Sequence, residues 1–589
     1  MDVKHGFCWK CDTKLRRRGT VKCNSCCIAE YCSNRCSKED MVRHGSIECV
    51  NWSPKKCGNC RKIGARNECS TCNSVWYCNK ECQLGNWKEH KAGCKEWQRI
   101  VSGVASRHML ILHEYPFYFS NSFPNDLLYL QNNEMKVAET SFQKNFNIFL
   151  PACGDLRQVI QTVHSLPFSF KGNLEFVLND IDPFVTARNV LLLFLMTTCE
   201  QEKASSISTI WLSLQLSGED YSLLQETLKR LVVMNSDMLK KHTEGMVDVG
   251  IGCYDNLREV WNEWGKLPCR IGDESCIKVL EERNDIFNAS EKIKNTMPSF
   301  FDDVSTRHHP SMRKWFHNGI ILPTQYSDEE LIYFNPTFTG RGKVNARRGQ
   351  SPSSYKFVYC VRWDCLPYQI WDYLEMVKFH SSDSITEMCH VFTTHVVSKS
   401  MNMMRDKRLY FNIACEDFLF LGSVTSELDH KAGYDRIFAS NLIDYHGIAT
   451  VVNVLEPYLN ETNPYAVLLT ETFNWHFEIE GAVWEADKNK LSYDTLKSIP
   501  NMKKSSYCAE YYDNTLYFLS YLRGDRLNWT FLPVCRIPKL SEVSICSGLR
   551  MRDFRKERNH VVPFFNRIAA RPINVLTGLV RTLEWYRET

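Results

Sequence analysis

The 589 residues carry almost no surplus of charge: 72 lysines and arginines stand against 68 aspartates and glutamates, a net +4. Without a long-range basic field, nucleic acid is unsupported as a partner. Long apolar runs are missing too. The longest, Val190 to Met196, is too short to cross a bilayer, and the opening Met1-Asp2-Val3-Lys4-His5 lacks the apolar stretch of a secretory signal. These absences imply a cytoplasmic or nuclear protein with no membrane partner. Nor is there a large tract that must be disordered. Hydrophobic residues at 44% and charged residues at 24% are ordinary for a folded chain. Its length implies about three or four domains.

Cysteine is what the chain has in excess. Fifteen of its 27 cysteines lie in the first 94 residues, in close pairs. In a reducing compartment that pattern indicates metal ligation rather than disulfides. Cys8, Cys11, Cys23, Cys26, Cys32, Cys36, His44 and Cys49 form one set, and Cys57, Cys60, Cys69, Cys72, Cys78, Cys82, His90 and Cys94 a second. From the second pair to the histidine both read C-x2-C-x5-C-x3-C-x7-H, so the region is an internal repeat. Zinc takes four ligands and favours thiolate with an occasional imidazole, so eight ligands per set imply two ions per set and four structural zincs in all. Such binding is worth on the order of 10 to 16 kcal/mol per ion, enough to fold a unit too small for its own core.

The order of pairs, with Tyr31 before Cys32 and Tyr77 before Cys78, resembles the MYND finger family over residues 8–49 and 57–94. The resemblance implies interleaved ligation: the first and third pairs share one zinc, the second pair and the His/Cys pair the other. The first set departs from the pattern, with four residues rather than three between His44 and Cys49, and Cys27 beside Cys26 is an unpaired extra thiol. The family docks short proline-containing peptides through a glutamine and a tryptophan after the third pair. Gln83 and Trp87 stand there in the second finger, on one helical face by their i, i+4 spacing, whereas the first has Ser37 and Met41.

Beyond Cys94 a helix is expected over 95–104, packed back on the finger. Asn147 to Leu150 reads as a buried strand entering a glycine turn at Gly154, with a helix over 156–166. Leu174 to Asp180 is a second strand and Phe184 to Thr197 an apolar helix. Strands recur at 409–414, 434–441 and 465–470, with a helix at 449–459. The segments 516–521 and 529–535 flank Arg523-Gly524-Asp525 like a hairpin. Leu257, Val260, Trp261 and Trp264, and Leu223, Leu224, Thr227, Leu228 and Leu231, make stripes of core-facing helices.

Together these pieces resemble the class I S-adenosylmethionine-dependent methyltransferases, which implies an α/β doubly wound (Rossmann-like) domain split by a large insertion. The expected organisation is fingers at 8–49 and 57–94, α/β halves at 145–200 and 406–540, a mainly helical insertion at 201–405 and a helical tail at 541–589. The resemblance offers Gly154 to the cofactor, Asp180 or Asp182 to its ribose, and Glu416 or Asp417 to its adenine. Pro151-Ala152-Cys153-Gly154 supplies one glycine where the family has several, which points to a non-catalytic scaffold, with S-adenosylmethionine-dependent methyl transfer as the alternative. Gly154-Asp155-Leu156-Arg157 with Asn179-Asp180-Ile181-Asp182-Pro183 and Ala187-Arg188-Asn189 also resembles the N-terminal domain of dynein axonemal assembly factor 3, over 145 to about 250. That adds an assembly-factor role as a further alternative. No Asn-His-x-Cys segment suits a SET-domain lysine methyltransferase. His308, His309 and His380 read as surface or capped residues, and Arg341 to Gly349 as a solvated basic loop. The expected function is a zinc-dependent protein-interaction adaptor or assembly scaffold.

Overall fold

A computed structural model describes residues 6–16, 19–104, 118–119, 122–136, 141–273, 301, 304–322, 330–341, 357–359, 367–421, 433–483, 512–529, 536–543, 548–564 and 579–588. The chain forms two compact units: Met1–Leu110 with Ala439–Ala570 and Leu576–Thr589, and Ile111–Phe438 with Arg571–Val575. Among the described residues no helix is long and apolar enough to cross a membrane.

The smaller unit opens with two similar fingers. Each has a two-residue ribbon, β1 (Val21–Lys22) with β2 (Glu30–Tyr31) and β3 (Asn67–Glu68) with β4 (Trp76–Tyr77), followed by a long helix, α1 (Asn34–Trp52) or α2 (Lys80–Ser102). The third cysteine pair straddles each helix start. Ser33 caps α1 by accepting from Cys36 N at 3.2 Å, and Asn79 caps α2 by accepting from Cys82 N at 3.0 Å, which seats those cysteines in the first turn.

The larger unit is an α/β layer built on a parallel sheet. Its strands are β5 (Phe146–Leu150), β6 (Leu174–Asn179), β7 (Val247–Val249), β8 (Leu409–Ala414) and β9 (Arg436–Phe438), in the order β9-β5-β6-β8-β7. All four pairings are parallel, with Phe146 opposite Leu174 and Leu174 opposite Leu409. Helices α3 (Arg157–Ser165) and α4 (Pro183–Thr198) make the crossovers. Every α4 residue from Phe184 to Met196 is buried, which accounts for its unbroken apolar run. Between β6 and β8 the insertion contributes α5 (Ala204–Leu212), α6 (Gly218–Val233), α7 (Ser236–His242), α8 (Ile251–Lys266), α9 (His309–Asn318), α10 (Tyr373–Phe379) and α11 (Ile385–Arg405). The stripes on α6 and α8 face the core, with Leu224, Leu228, Leu231, Leu257, Trp261 and Trp264 all buried.

The smaller unit resumes with α12 (Ile448–Leu455), β10 (Val467–Thr472), α13 (Thr515–Trp529), β11 (Arg550–Met551) and β12 (Arg581–Tyr586). Strand β12 runs antiparallel to both β10 and β11.

Four expectations are corrected. The insertion is mainly helical but gives the sheet β7, whose three residues are too few to show an alternation. Segment 516–521 belongs to helix α13 rather than a hairpin; residues 530–535 lie outside the described residues. Arg523-Gly524-Asp525 reads as a turn, yet Gly524 answers a close approach: a Cβ there would fall 2.4 Å from Val104 Cβ. Among the described residues, the tail expected to be helical at 541–589 instead holds the strands β11 and β12, with a helical turn only at Leu540–Glu542. The ionic residues of β12 hide a strand whose Arg581 and Glu584 are buried and bonded inside. Residues 95–104 largely continue α2 without a break, and Trp97 packs on the finger's cysteine core as expected while also meeting Tyr517 of α13 at 5.0 Å. Of the basic loop at 341–349, only Arg341 falls among the described residues.

Candidate metal centres and docking face

The sixteen ligands converge as four tetrads: Cys8, Cys11, Cys32 and Cys36; Cys23, Cys26, His44 and Cys49; Cys57, Cys60, Cys78 and Cys82; and Cys69, Cys72, His90 and Cys94. Within each, the ligand atoms lie within 4.8 Å of one another. This is the interleaved arrangement implied by the sequence. Tetrahedral zinc with Zn–S near 2.3 Å and Zn–N near 2.0 Å requires S···S of about 3.8 Å and S···N of about 3.5 Å. Cys11 and Cys32 stand 3.6 Å apart, Cys23 and Cys49 3.8 Å, Cys60 and Cys78 3.6 Å, and Cys69 and Cys94 3.9 Å. His44 Nε2 lies 3.5 Å from Cys26 Sγ, and His90 Nε2 3.4 Å from Cys72 Sγ. These separations are far too long for S–S bonds near 2.05 Å and fit the zinc tetrahedron. The longer spacing to Cys49 does not open its tetrad. The hydrogen bond between Cys72 and Cys69 pushes the Cys69 thiol down and the Cys72 thiol up.

Around the histidines the fingers diverge. In the first, His44 Nδ1–H donates to Glu48 Oε2 at 2.8 Å, the carboxylate–histidine–metal relay that orients a ligand ring. Arg43 bridges Glu48 and Asp40, with Nη2 3.0 Å from Glu48 Oε2 and 2.7 Å from Asp40 Oδ2, and Tyr31 donates to Asp40 at 3.1 Å. All five side chains are buried. In the second finger Tyr77 donates instead to the neutral Asn86, at 3.0 Å. Cys27 is exposed at φ +60, in the position Asn73 occupies at φ +58 in the second finger.

Gln83 and Trp87 lie on α2 as expected. Trp87 is 42% exposed and its ring meets His90 edge-on at 6.1 Å, so one edge rests on the zinc site while the remainder faces solvent. Leu84 beside it is also exposed, and Met41 is exposed at the corresponding place on α1.

The carboxyl ends of β5, β6 and β8 bring together Gly154, Asp180 and Asp417. Gly154 sits at φ +59 and its N–H donates to Asp180 Oδ2 at 2.9 Å, while Asp182 N–H donates to Asp180 Oδ1 at 3.1 Å. Burial raises the Asp180 carboxyl to about 7. Asp182 caps α4 through Phe184 N at 2.8 Å, and Asp417 accepts from Leu419 N at 3.0 Å. Sequence reasoning overlooked Asn179. Its amide donates to Pro151 O and Glu416 O, both at 2.9 Å, and its oxygen accepts from Glu416 N, so it ties the three strand ends together. Asn189 completes the loop by donating to Gly154 O at 2.7 Å. The histidines are internally bonded: His308, which proves fully buried rather than superficial, to Asp383 O and the Tyr373 hydroxyl, His309 to Phe301 O, and His380 to Glu387.

Comparison with known proteins agrees with this geometry where it reaches. Residues 57–94 match the MYND finger family. The second finger is a MYND finger. Residues 118–216 match a domain of unknown function, DUF4470. This match begins before the strand at 146, in a segment anchored on α3 by Gln158, which accepts from Asn125 N, and Thr162, which accepts from Leu127 N. Histone-lysine N-methyltransferase ASHR1 of Arabidopsis thaliana is 40% identical over 48 residues, 8% of this chain and 10% of that protein. No solved structure matches the chain.

Proposed function

We propose that the chain is a zinc-folded interaction adaptor whose MYND finger docks short proline-containing peptides through Gln83 and Trp87, and whose first finger is a diverged copy serving as a brace. The half-exposed Trp87, held edge-on against a zinc ligand, carries the reading. Four ligands close each tetrahedron and leave no position for an activated water, so the sites serve recognition rather than hydrolysis. An indole held this way offers a rigid flat face for a proline ring, and a proline-rich strand loses little entropy on docking. Titration with a proline-containing peptide checks it. Trp87→Ala with four zincs retained is expected to weaken binding at least tenfold, while unchanged affinity would remove the docking role.

The α/β body is read as a class I methyltransferase-like scaffold. The larger unit's parallel order β9-β5-β6-β8-β7 sets its first strand between the fifth and the second, a reversal that suits a doubly wound sheet, and in the smaller unit the reversed β12 beside β10 suits the terminal hairpin of that fold. Catalytic methyl transfer is disfavoured because Asp180 spends both oxygens on the glycine loop and its own turn. Calorimetry with S-adenosylmethionine discriminates: no heat at millimolar cofactor keeps the scaffold reading, and saturable binding abolished by Asp180→Ala replaces it. A dynein-assembly role for the same adaptor is the further alternative, tested by co-purification with chaperones or dynein chains from ciliated cells.

A further inference from the structure

Helix α13 buries a guanidinium against the MYND finger. Arg523 is 1% exposed, and its guanidinium donates to neutral oxygens: Nε to Pro538 O at 2.7 Å, Nη1 to Thr71 O at 2.7 Å and Asn73 Oδ1 at 2.8 Å, Nη2 to Ser70 O at 3.3 Å. Ser70 and Thr71 are the two residues between Cys69 and Cys72, and Asn73 follows them. The arginine therefore grips the knuckle that presents two thiolates to the metal. A buried cation requires a balancing negative charge. Glu68, the nearby acid, is bonded to Arg555 at 2.7 Å. A divalent ion held by three thiolates and one neutral imidazole carries one net negative charge, and Cys69, Cys72, His90 and Cys94 are such a set.

We propose that Arg523 is the counter-ion of this zinc centre, and that the pair forms a metal-dependent latch holding α13 against the finger. With the ion bound, the C-x2-C knuckle is closed, its carbonyls converge on the guanidinium and the charges cancel. Without it, the knuckle loses its shape and Arg523 is left buried beside neutral groups. The surroundings make the latch tight: Gly524 admits the backbone of α13 to Val104 and Val101 O, and Trp97 packs on Tyr517. Zinc in this site thus orders a segment more than 400 residues away in sequence, and its loss, by chelation or thiol oxidation, releases that segment.

The test uses the full chain with four zincs, titrated with a chelator, while alkylation of each cysteine and hydrogen exchange are followed by mass spectrometry. In Arg523→Met, Cys69, Cys72 and Cys94 are expected to become reactive at about tenfold lower chelator, the usual size of an outer-shell effect on metal affinity. Cys8, Cys11, Cys32 and Cys36 should be unmoved, and Arg523→Lys should recover most of the protection. In the wild type, exchange across 515–529 should rise at least tenfold as these three cysteines become reactive, a measurement independent of whether any variant folds. Equal protection in Arg523→Met, or exchange in α13 indifferent to loss of this ion, overturns the proposal.

Discussion

The two fingers share ligand order and tetrahedral geometry, yet they keep different company. The first surrounds its histidine with buried charge: Arg43, Asp40, Glu48 and Tyr31 form one buried network. The second surrounds its histidine with neutral groups and an exposed indole, and takes its cation, Arg523, from a distant helix. Zinc folds both, so the difference lies in what the outer shell is used for. An inward ionic network builds a rigid body with a plain surface, where Met41 stands. A neutral shell leaves the helix face free to carry Trp87 and the knuckle free to receive Arg523.

The largest effect expected from this contrast comes from breaking the ionic shell. Glu48→Gln leaves Arg43 paired with Asp40 alone and takes the carboxylate from His44, at a cost of about 1.5–3 kcal/mol for each buried charged hydrogen bond lost. The analogous change at the exposed Glu89 of the second finger should stay within about 0.5 kcal/mol. Denaturant unfolding in excess zinc measures both, and equal losses would erase the distinction.

Ligand legibility explains why this contrast was only half visible in the sequence. Metal sites announce themselves because ligand chemistry and short spacing are local, and all four tetrads close as the spacing implied. The parallel strands were equally plain, since Phe146–Leu150 and Leu174–Asn179 are buried runs bounded by turns. Failures came where a residue answers to something remote. Gly524 looks like a turn until Val104 is placed beside it, and Arg523 looks like a loop cation until the knuckle is. The acids assigned to a cofactor are legible only as acids; which backbone N–H each one accepts is decided by the fold. Residues 125–127 show no periodicity, their backbone N–H groups being held by the side chains of Gln158 and Thr162 on α3.

A smaller effect sharpens the comparison at the support beneath the second finger. Asp525, two residues beyond Arg523, accepts from Ile448 N at 3.1 Å, and burial raises its carboxyl to about 7. The folded state therefore binds a proton that the unfolded chain has lost, so stability falls as pH rises from about 4 to 7, by at most about 1.4 kcal/mol per pH unit. Asp525→Asn keeps the acceptor and removes the titration. The difference in unfolding free energy between variant and wild type should grow in the variant's favour between pH 5 and 8. A constant difference would mean that the carboxyl does not titrate in that window.

The smallest effect concerns Cys27, the one cysteine of the finger region that joins no tetrad. Cys27 lies at φ +60 where the second finger has Asn73 at φ +58, and asparagine tolerates the left-handed region better than cysteine. Cys27→Asn should leave four zincs bound and change stability by no more than about 0.5 kcal/mol, in the stabilising direction. Its value lies in pairing with Cys26→Ser. If Cys27 is only a bystander, Cys26→Ser loses one ion whether or not Cys27 is present. If the neighbouring thiol can rotate in, Cys26→Ser keeps four ions and the double variant keeps three. The exposure of Cys27, against the burial of Cys26 in contact with His44, favours the first outcome.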